Sequence, residues 1–494
     1  MTGSKWAKTV CGIIVVANVL CYHGATPKLR ESLIMYQPIK TLRAYHIFAL
    51  SLIAIVNLRE YPILASMGAQ VVEYTALAFL GFLLPSAWVC AQLSAKFPSQ
   101  GGLYMWFREA FGCSWGRLGM SIEWLNNMIS FPATCTVVIA TILTGCWPAL
   151  QPSSEVTVVL TLLLCWLCVF VCCRGVLITY RLSGWAALLG VLMPTVCIIV
   201  LGVIWVFSGH PIAWQITASS VSSTDKGFEW GLLVSVLSAY AGMQASAFFA
   251  PQVDSPGRTY PLALISCAVV IVCITAGAGL AMAAVIPQDA LSYMDGVMAC
   301  FQLFLAAFNL SQYSIFLVLL IVLGAFAGLC TWMQALSRGV HQMALEHQWP
   351  RYFAMLNARS VPVRVLTLQG VLVSVLLGLF LCVPDMQTAF WLLVLLTSQL
   401  TVLLYMALFI AAVRLLLPYQ QTWQRCITVL ASVCGVCCSA LGLVVSFWKP
   451  SHVIWSQSVY VEVVATCDGV LILLCAFWYC RRARIKPVIS NESA

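Results

Sequence analysis

The stretch Ile53–Pro62, which reads IAIVNLREYP, interrupts the first long apolar segment of the chain. The apolar run stops before two adjacent charges, Arg59 and Glu60, and apolar residues resume after the proline. Charges inside a membrane span are expensive and mark functional positions, and proline suits the first turn of a new helix. The stretch therefore predicts a membrane helix that is broken into two halves.

A second interruption, Ser238–Ser246, reads SAYAGMQAS and lies in the middle of the sixth apolar segment. Its Gly242 permits backbone geometry that a regular helix resists. A kinked packing helix with small residues at a helix contact would explain either break alone. Breaks in the first and sixth segments together fit a five-plus-five repeat and indicate a transporter site near the bilayer midplane. There the N-termini of the half-helices offer free N–H groups and positive dipole ends to a carboxylate.

The composition places these breaks in a membrane protein. Of 494 residues, 62% are hydrophobic and 8% are charged, and the mean hydropathy is +0.96. Soluble domains are about 45–50% apolar and about 25% charged. At about 20 residues per span, the sequence predicts an all-α polytopic membrane protein with twelve transmembrane helices. The predicted segments are 45–67, 71–94, 118–147, 156–173, 183–208, 229–251, 261–286, 314–342, 363–383, 387–413, 426–448 and 458–480.

Lysine and arginine positions predict the orientation of these segments. With both termini in the cytoplasm, Lys226 and Lys449 are external, Arg59 lies within the first segment, and the other basic residues are cytoplasmic. This distribution follows the positive-inside rule. The short apolar stretch Val297–Phe308 predicts a surface helix outside the membrane, because it is too short to span.

Residues 1–44 form an N-terminal extension before the predicted transporter domain of residues 45–480, and residues 481–494 form a cytoplasmic tail. The extension contains a short apolar run, Val10–Tyr22, behind two lysines. The run is too short to span comfortably. It is either an interfacial helix or the product of a start codon placed too far upstream, and we favour a start at Met35.

Other classes of function are disfavoured by what the sequence contains. Most of the 23 cysteines lie in apolar runs without neighbouring histidine or carboxylate, so we expect packing cysteines rather than a metal site or other cofactor. The six histidines fall in loops or segment ends, which disfavours a membrane-embedded enzyme. The sequence has no phosphate-binding loop of the Gly-x-x-x-x-Gly-Lys-Ser/Thr type. The net charge of +9 reflects loop bias rather than a nucleic acid partner.

Several motifs occur in an order that is specific in combination. They are Leu58–Pro62, Leu84-Pro85, Gly101–Tyr104 with Trp106, Phe111-Gly112, Trp115-Gly116, Ala239–Ala247, Ser255–Pro261, Thr331-Trp332, Ser337–Gly339 and Trp349-Pro350. Together they resemble the glutamate:GABA antiporter branch of the amino acid–polyamine–organocation superfamily. The resemblance covers roughly residues 44–480.

This resemblance implies a five-plus-five inverted repeat with broken helices 1 and 6, followed by helices 11 and 12. It also implies exchange of an amino acid for a related amine, of either the glutamate/GABA or the arginine/agmatine type. The breaks would hold the backbone groups of the substrate, and the ring of Trp332 would lie against its side chain. The residues expected at the site are Leu58, Arg59, Glu60, Tyr61, Asn126, Asn127, Tyr240, Gly242, Gln244 and Trp332.

Charged positions carry the remaining expectations. The related antiporters usually have glutamate where this chain has Gln244, and an amide cannot titrate, so proton linkage at that position is in doubt. Arg59 either faces an acidic substrate or pairs with Glu60, and the pair is the preferred interpretation. Glu123 is expected near the cytoplasmic end of helix three, facing water. Asp468 is expected at a polar contact between helices or between the subunits of a homodimer.

Overall fold

The structure is a computed structural model that describes residues 42–98, 101–147, 154–175, 182–213, 230–287, 291, 295–380, 386–449 and 456–482. The expectations for residues 1–41 and 483–494 lie outside these ranges. Within the described ranges the chain is almost entirely helical. Nine of the helices found there are long and apolar enough to cross a membrane.

The first half of the chain contains the first broken segment and four continuous ones. Its helices are α1 (Ala44–Ile55), α2 (Tyr61–Ala65), α3 (Val71–Ala78), α4 (Leu84–Lys96), α5 (Leu103–Phe111), α6 (Cys113–Cys146), α7 (Ser154–Cys173) and α8 (Met193–Phe207). Single π-helical stretches, Phe79–Leu83 and Ala187–Leu192, join α3 to α4 and lead into α8.

The second half begins with the other broken segment. Its helices are α9 (Leu233–Ala239), α10 (Pro256–Val285), α11 (Gly296–Ala307), α12 (Ser314–Leu345), α13 (Val363–Phe380), α14 (Met386–Leu416), α15 (Thr422–Val445) and α16 (Gln457–Arg482). A 3-10 helix, Met243–Gln252, follows α9. All twelve predicted segments coincide with helical structure, and α11 corresponds to the short helix predicted between segments seven and eight.

Both predicted breaks are confirmed. Helix α1 ends at Ile55, the chain passes through a 3-10 turn, and α2 begins at Tyr61 with proline in its first turn. In the sixth segment α9 ends at Ala239, and Gly242 has a φ of +135°. A Cβ atom at Gly242 would lie 2.9 Å from Ile55 Cγ1 and 3.2 Å from the Ala54 carbonyl oxygen. The two breaks therefore touch through this glycine, where a side chain would be both strained and crowded.

Helix α5 lies in what the sequence predicted to be a plain connection. Gly102 and Gly112 flank it with positive φ angles of 46° and 98°, which separate α5 from the chain on either side. Helix α6 therefore begins at Cys113, five residues before the predicted start at 118.

A polar cluster fixes α5 to the end of α12. Tyr104 donates to Glu346 Oε2 at 2.5 Å, and Arg108 Nη1 lies 2.6 Å from Glu346 Oε1. Burial raises the pKa of the Tyr104 hydroxyl, and the adjacent Glu346 carboxylate raises that pKa further. Tyr104 therefore remains a hydrogen-bond donor across the physiological pH range.

Helix α6 contacts the helices that surround the two breaks. It packs against α12 and α14, while α10 packs against α1 and α4. Helix α12 and the stretch before α8 meet at glycines, since a Cβ on Gly190 would lie 2.3 Å from the Gly324 backbone nitrogen. Small residues allow such close approach of membrane helices. This packing brings α6, α12 and α14 around the two breaks.

Candidate functional site

A cavity of about 110 Å³ lies between the two breaks and is bounded by α6, α12 and α14. A water molecule needs about 10–15 Å³ on the same measure, so the cavity has room for a small solute. Seven of the ten residues expected at the site line it: Arg59, Glu60, Asn126, Asn127, Gly242, Gln244 and Trp332. The structure therefore brings together residues as far apart in sequence as Arg59 and Trp332, which are 273 positions apart.

The other three expected residues are placed differently. Tyr61 and Tyr240 are buried but do not line the cavity. The Tyr61 hydroxyl is 2.8 Å from Thr195 Oγ1 of α8, and the Tyr240 hydroxyl is 2.8 Å from Thr275 Oγ1 of α10. Each tyrosine thus points to a threonine on a neighbouring helix, which ties one break to the surrounding helices. The side chain of Leu58 lies outside what the structure describes.

The two charges of the first break neutralise each other. Arg59 Nε lies 2.6 Å from Glu60 Oε1, as the preferred interpretation of the sequence predicted. Arg59 Nη1 donates to Ser130 Oγ at 2.9 Å and to Thr134 Oγ1 at 2.5 Å, both on α6. The side chains of Arg59 and Glu60 are only 17% and 12% exposed. The pair adds polarity to the cavity but no net charge.

Trp332 of α12 closes one wall of the cavity and caps the first half-helix. Its indole N–H donates to the Ala54 carbonyl oxygen at 3.0 Å. The last carbonyl groups of a helix lack partners within the helix, so this bond satisfies one of them at the end of α1. The ring itself lines the cavity beside the break. Trp332 therefore holds the end of α1 and presents its ring to the cavity.

The second break carries no charge of its own but faces one from α6. Gln244 Nε2 donates to Glu123 Oε1 at 3.0 Å. Tyr405 of α14 donates its hydroxyl proton to Gln244 Oε1 and accepts the Gly242 backbone N–H at 2.7 Å. These four residues form a continuous hydrogen-bonded chain from α14 through the break to α6.

The expectation that Glu123 faces water is wrong. The residue is only 2% exposed and lines the cavity. Because α6 begins at Cys113, Glu123 lies about 15 Å along the helix axis rather than near its end. Because the start of α6 was predicted five residues too late, the sequence did not predict that this carboxylate is buried at the site.

Ser130 and Thr134, two further polar residues of the cavity, were also missed. Glu123, Asn127, Ser130 and Thr134 are spaced by four, three and four positions, which places them on one face of a helix. This polar stripe runs through an otherwise apolar segment and could have been recognised from sequence. Across from it on α14, Thr401 Oγ1 accepts a hydrogen bond from Asn126 Nδ2 at 2.9 Å.

The site shows no arrangement suited to metal chemistry. Among the described residues, no group of three or more histidine, cysteine, aspartate or glutamate side chains is placed to hold a metal ion. What the cavity offers instead is hydroxyl and amide groups, one neutral ion pair, one further carboxylate and the two aromatic rings of Phe131 and Trp332. Such a set can bind a small zwitterionic or charged solute by hydrogen bonds and aromatic contact.

Comparison with known proteins agrees with this geometry. The family model described as "Amino acid permease" matches residues 43–467. An uncharacterized transporter of Legionella pneumophila is 29% identical over 92% of this chain and 99% of its own length. A glutamate/gamma-aminobutyrate antiporter of Lactococcus lactis is 26% identical over 68% of both chains. A probable agmatine/putrescine antiporter of Lactococcus lactis is 21% identical over 69% of this chain and 72% of that protein.

The fold is shared with a solved structure. The crystal structure of MhsT in complex with L-phenylalanine has a TM-score of 0.58, with 12% identity, over 83% of this chain and all of that one. At this identity the likeness shows the fold alone. The predicted all-α fold, a five-plus-five inverted repeat with broken helices 1 and 6, is confirmed.

Proposed function

The chain belongs to the amino acid permease family, and from this premise we propose that it is a secondary active exchanger that works by alternating access. The family and the relatives are transporters rather than enzymes, and the chain is a multi-pass membrane protein whose substrate is a small amino acid or amine. Exchange means that both the inward and the outward step require a bound solute. One helix bundle would rock against the other around a fixed site.

The cavity between the two breaks is the single observation that carries this proposal. It lies where two half-helices end, and it is lined by side chains from both breaks and from α6, α12 and α14. In transporters with inverted repeats, the substrate binds where broken helices meet near the midplane. The N-terminal end of a half-helix, with its free N–H groups and positive dipole end, suits the carboxylate that amino acids share, while side chains such as Trp332 select the remainder of the molecule.

We favour an exchange of the glutamate:GABA type. The glutamate/gamma-aminobutyrate antiporter of Lactococcus lactis is more similar to this chain, at 26% identity, than the probable agmatine/putrescine antiporter, at 21%. The Arg59 guanidinium, although paired with Glu60, also offers hydrogen-bond donors at the cavity wall. Such a group can turn toward an anionic substrate.

An arginine/agmatine type of exchange is the second candidate, and Glu123 favours it. Since Arg59 and Glu60 cancel each other, an ionised Glu123 would leave the cavity with one negative charge. Opposite charges attract strongly where water is excluded. A cationic amine would therefore be the better partner of a cavity in that state.

Counterflow into proteoliposomes tests the proposal. Vesicles loaded with glutamate should take up labelled glutamate or GABA, and empty vesicles should not. A parallel panel with arginine and agmatine separates the two candidates. Equal uptake into empty vesicles would contradict exchange, and a preference for arginine and agmatine would contradict the glutamate:GABA assignment while leaving exchange intact.

We further propose that the protein lies in the bacterial inner membrane with both termini in the cytoplasm. The distribution of lysine and arginine supports this orientation. Reporter fusions after Leu150, Ser222 and Ser451 should report an external location. Fusions at Ser99 and Ser255 should report a cytoplasmic location, and a reversed result at one loop between correctly placed neighbours would contradict the orientation.

A further inference from the structure

Glu123 places a carboxylate at a buried position inside a membrane helix, where packing alone does not call for a charged group. It lies within a membrane helix, is 2% exposed, and still contributes to the wall of the cavity. Burying a carboxylate is costly unless the group is paired or takes up a proton. Ionisable residues that face a cavity inside the membrane mark pathways for substrates, ions or protons.

The partners of Glu123 are the neutral amides of Gln244 and Asn127, and the orientation of the Gln244 amide is fixed. The Tyr405 hydroxyl has one proton, which it donates to Gln244 Oε1, while it accepts the Gly242 backbone N–H. The other end of the Gln244 amide, Nε2, must then face Glu123 Oε1. An amide N–H can donate to a carboxylate and equally to the carbonyl oxygen of a protonated carboxyl group. The hydrogen bond from Gln244 therefore forms with either protonation state of Glu123.

Charged groups around Glu123 do not lock it in the ionised state. The titratable groups near it on neighbouring elements are the Cys90 thiol of α4 and the Tyr405 hydroxyl of α14, and such groups are ordinarily neutral near pH 7. Arg59, across the cavity, is paired with Glu60. On α6 itself, Arg117 donates to Gln348 Oε1 at 2.6 Å.

The helices that pack against α6 bring further charges, and these have contacts elsewhere. Arg108 of α5 pairs with Glu346 at 2.6 Å. The guanidinium of Arg338 on α12 lies over the Phe249 ring, 5.1 Å from its centroid, and His341 Nε2 lies 3.1 Å from the Ala354 carbonyl oxygen. None of these contacts supplies a cation to the Glu123 carboxylate.

We propose that Glu123 is a proton-binding site of the cavity and that one proton on Glu123 accompanies each anionic substrate. The carboxylate takes up the proton from the side to which the cavity is open and releases it on the other side, so that only an O–H bond forms and breaks. Glutamate with one proton is neutral, as is zwitterionic GABA, so their exchange moves no net charge. Glu123 thus supplies the titratable group that Gln244 lacks. This inference rests on the proposed exchange and identifies the proton as the ion that is coupled to it.

The test uses proteoliposomes that contain GABA and a trapped pH-sensitive dye, with labelled glutamate outside. In the wild-type protein, glutamate uptake should acidify the lumen by about one proton per glutamate. The uptake rate should fall about tenfold per pH unit on the alkaline side of the Glu123 titration, because one proton must bind. The rate should not change when a potassium diffusion potential is imposed across the membrane, because the exchange moves no net charge.

Glu123→Gln should abolish lumen acidification, reduce the pH effect on the uptake rate to less than about twofold, and make uptake sensitive to the imposed potential. Glu73→Gln is the matched control, since Glu73 is exposed on α3 and outside the cavity, and it should behave as the wild type. Gel filtration and thermal unfolding check the fold of both variants. If Glu123→Gln is inactive, the number of protons that the wild-type protein moves per glutamate decides whether a proton is co-transported.

The outcomes separate the two proposals. Exchange by the wild-type protein without lumen acidification, or with the same pH profile in Glu123→Gln, would overturn the proton site and leave the exchanger in place. Loss of cationic amine uptake in Glu123→Gln without a change in pH profile would make Glu123 a counter-charge instead. If the wild-type protein exchanges no amino acid or amine, the proposed function fails and the proton site falls with it.

Discussion

The two breaks solve the problem of charge within the membrane differently. The first carries its own opposite charges, Arg59 and Glu60, 2.6 Å apart on adjacent positions. The second is neutral, and its Gln244 meets a carboxylate that α6 supplies from 121 positions away. The first break is therefore balanced locally, whereas the carboxylate beside the second break is brought there by the packing of the fold and has amide rather than cationic partners. The net charge of the cavity therefore depends on Glu123, beside the second break.

The largest expected effect comes from removing the local balance of the first break. Glu60→Gln leaves the Arg59 charge without its partner in a mostly buried position, which should destabilise the protein by about 3 kcal/mol. The double variant Arg59→Gln/Glu60→Gln should recover much of that loss. Thermal or chemical unfolding of the purified variants in detergent measures both changes.

The surface pair Arg108–Glu109 is the matched control, because it has the same residue order and a Glu109 side chain that is 44% exposed. Glu109→Gln should cost less than about 1 kcal/mol. If Glu60→Gln and Glu109→Gln destabilised the protein equally, the first break would not depend on its ion pair.

The next effect concerns the contact between the breaks. Gly242→Ala places a side chain at a φ of +135° and within 3.2 Å of both Ile55 Cγ1 and the Ala54 carbonyl oxygen. Backbone strain of this kind costs about 1–3 kcal/mol, and we expect transport to fall by at least about tenfold, as assayed by counterflow. Gly469→Ala is the control, because a Cβ there meets nothing within 4 Å. Normal transport by Gly242→Ala would show that transport does not require the close contact between the two breaks.

The smallest effect concerns the ring that both faces the cavity and caps α1. Trp332→Ala should weaken substrate binding by about 0.5–2 kcal/mol, a few-fold to about thirtyfold, through loss of aromatic contact. Trp332→Phe keeps the ring contact but loses the hydrogen bond to the Ala54 carbonyl oxygen. Its substrate affinity should therefore lie between that of the wild type and that of Trp332→Ala. Substrate binding to the purified variants measures this order, and unchanged affinity in both would limit Trp332 to packing.

The sequence predicted the breaks because their composition departs sharply from the apolar segments around them. Arg59 next to Glu60, and Gly242 among small residues, are local patterns that need no knowledge of the fold. The twelve segments were predictable for the same reason, since each is a long apolar run. Seven of the ten expected residues line the cavity because the composition of the breaks and the family resemblance together indicate the two breaks, helix α6 and Trp332.

What the sequence did not predict depends on direction and on long-range packing. At a break the backbone leaves helical geometry, so spacing no longer tells where a side chain points, and Tyr61 and Tyr240 turn toward threonines outside the cavity. Glu123 was misplaced because the start of α6 was set five residues late. Its contact with Gln244 joins two segments that no local pattern connects.

The most direct test of the central claim is a structure of the protein determined by electron cryo-microscopy in lipid nanodiscs with saturating GABA. We expect density for the ligand between the two breaks, within contact of Gln244 and the Trp332 ring, and beside the Arg59–Glu60 pair. Under the same conditions, binding of labelled GABA to the sample should be confirmed. Bound GABA at any other place, with the cavity between the breaks free of ligand density, would contradict the account.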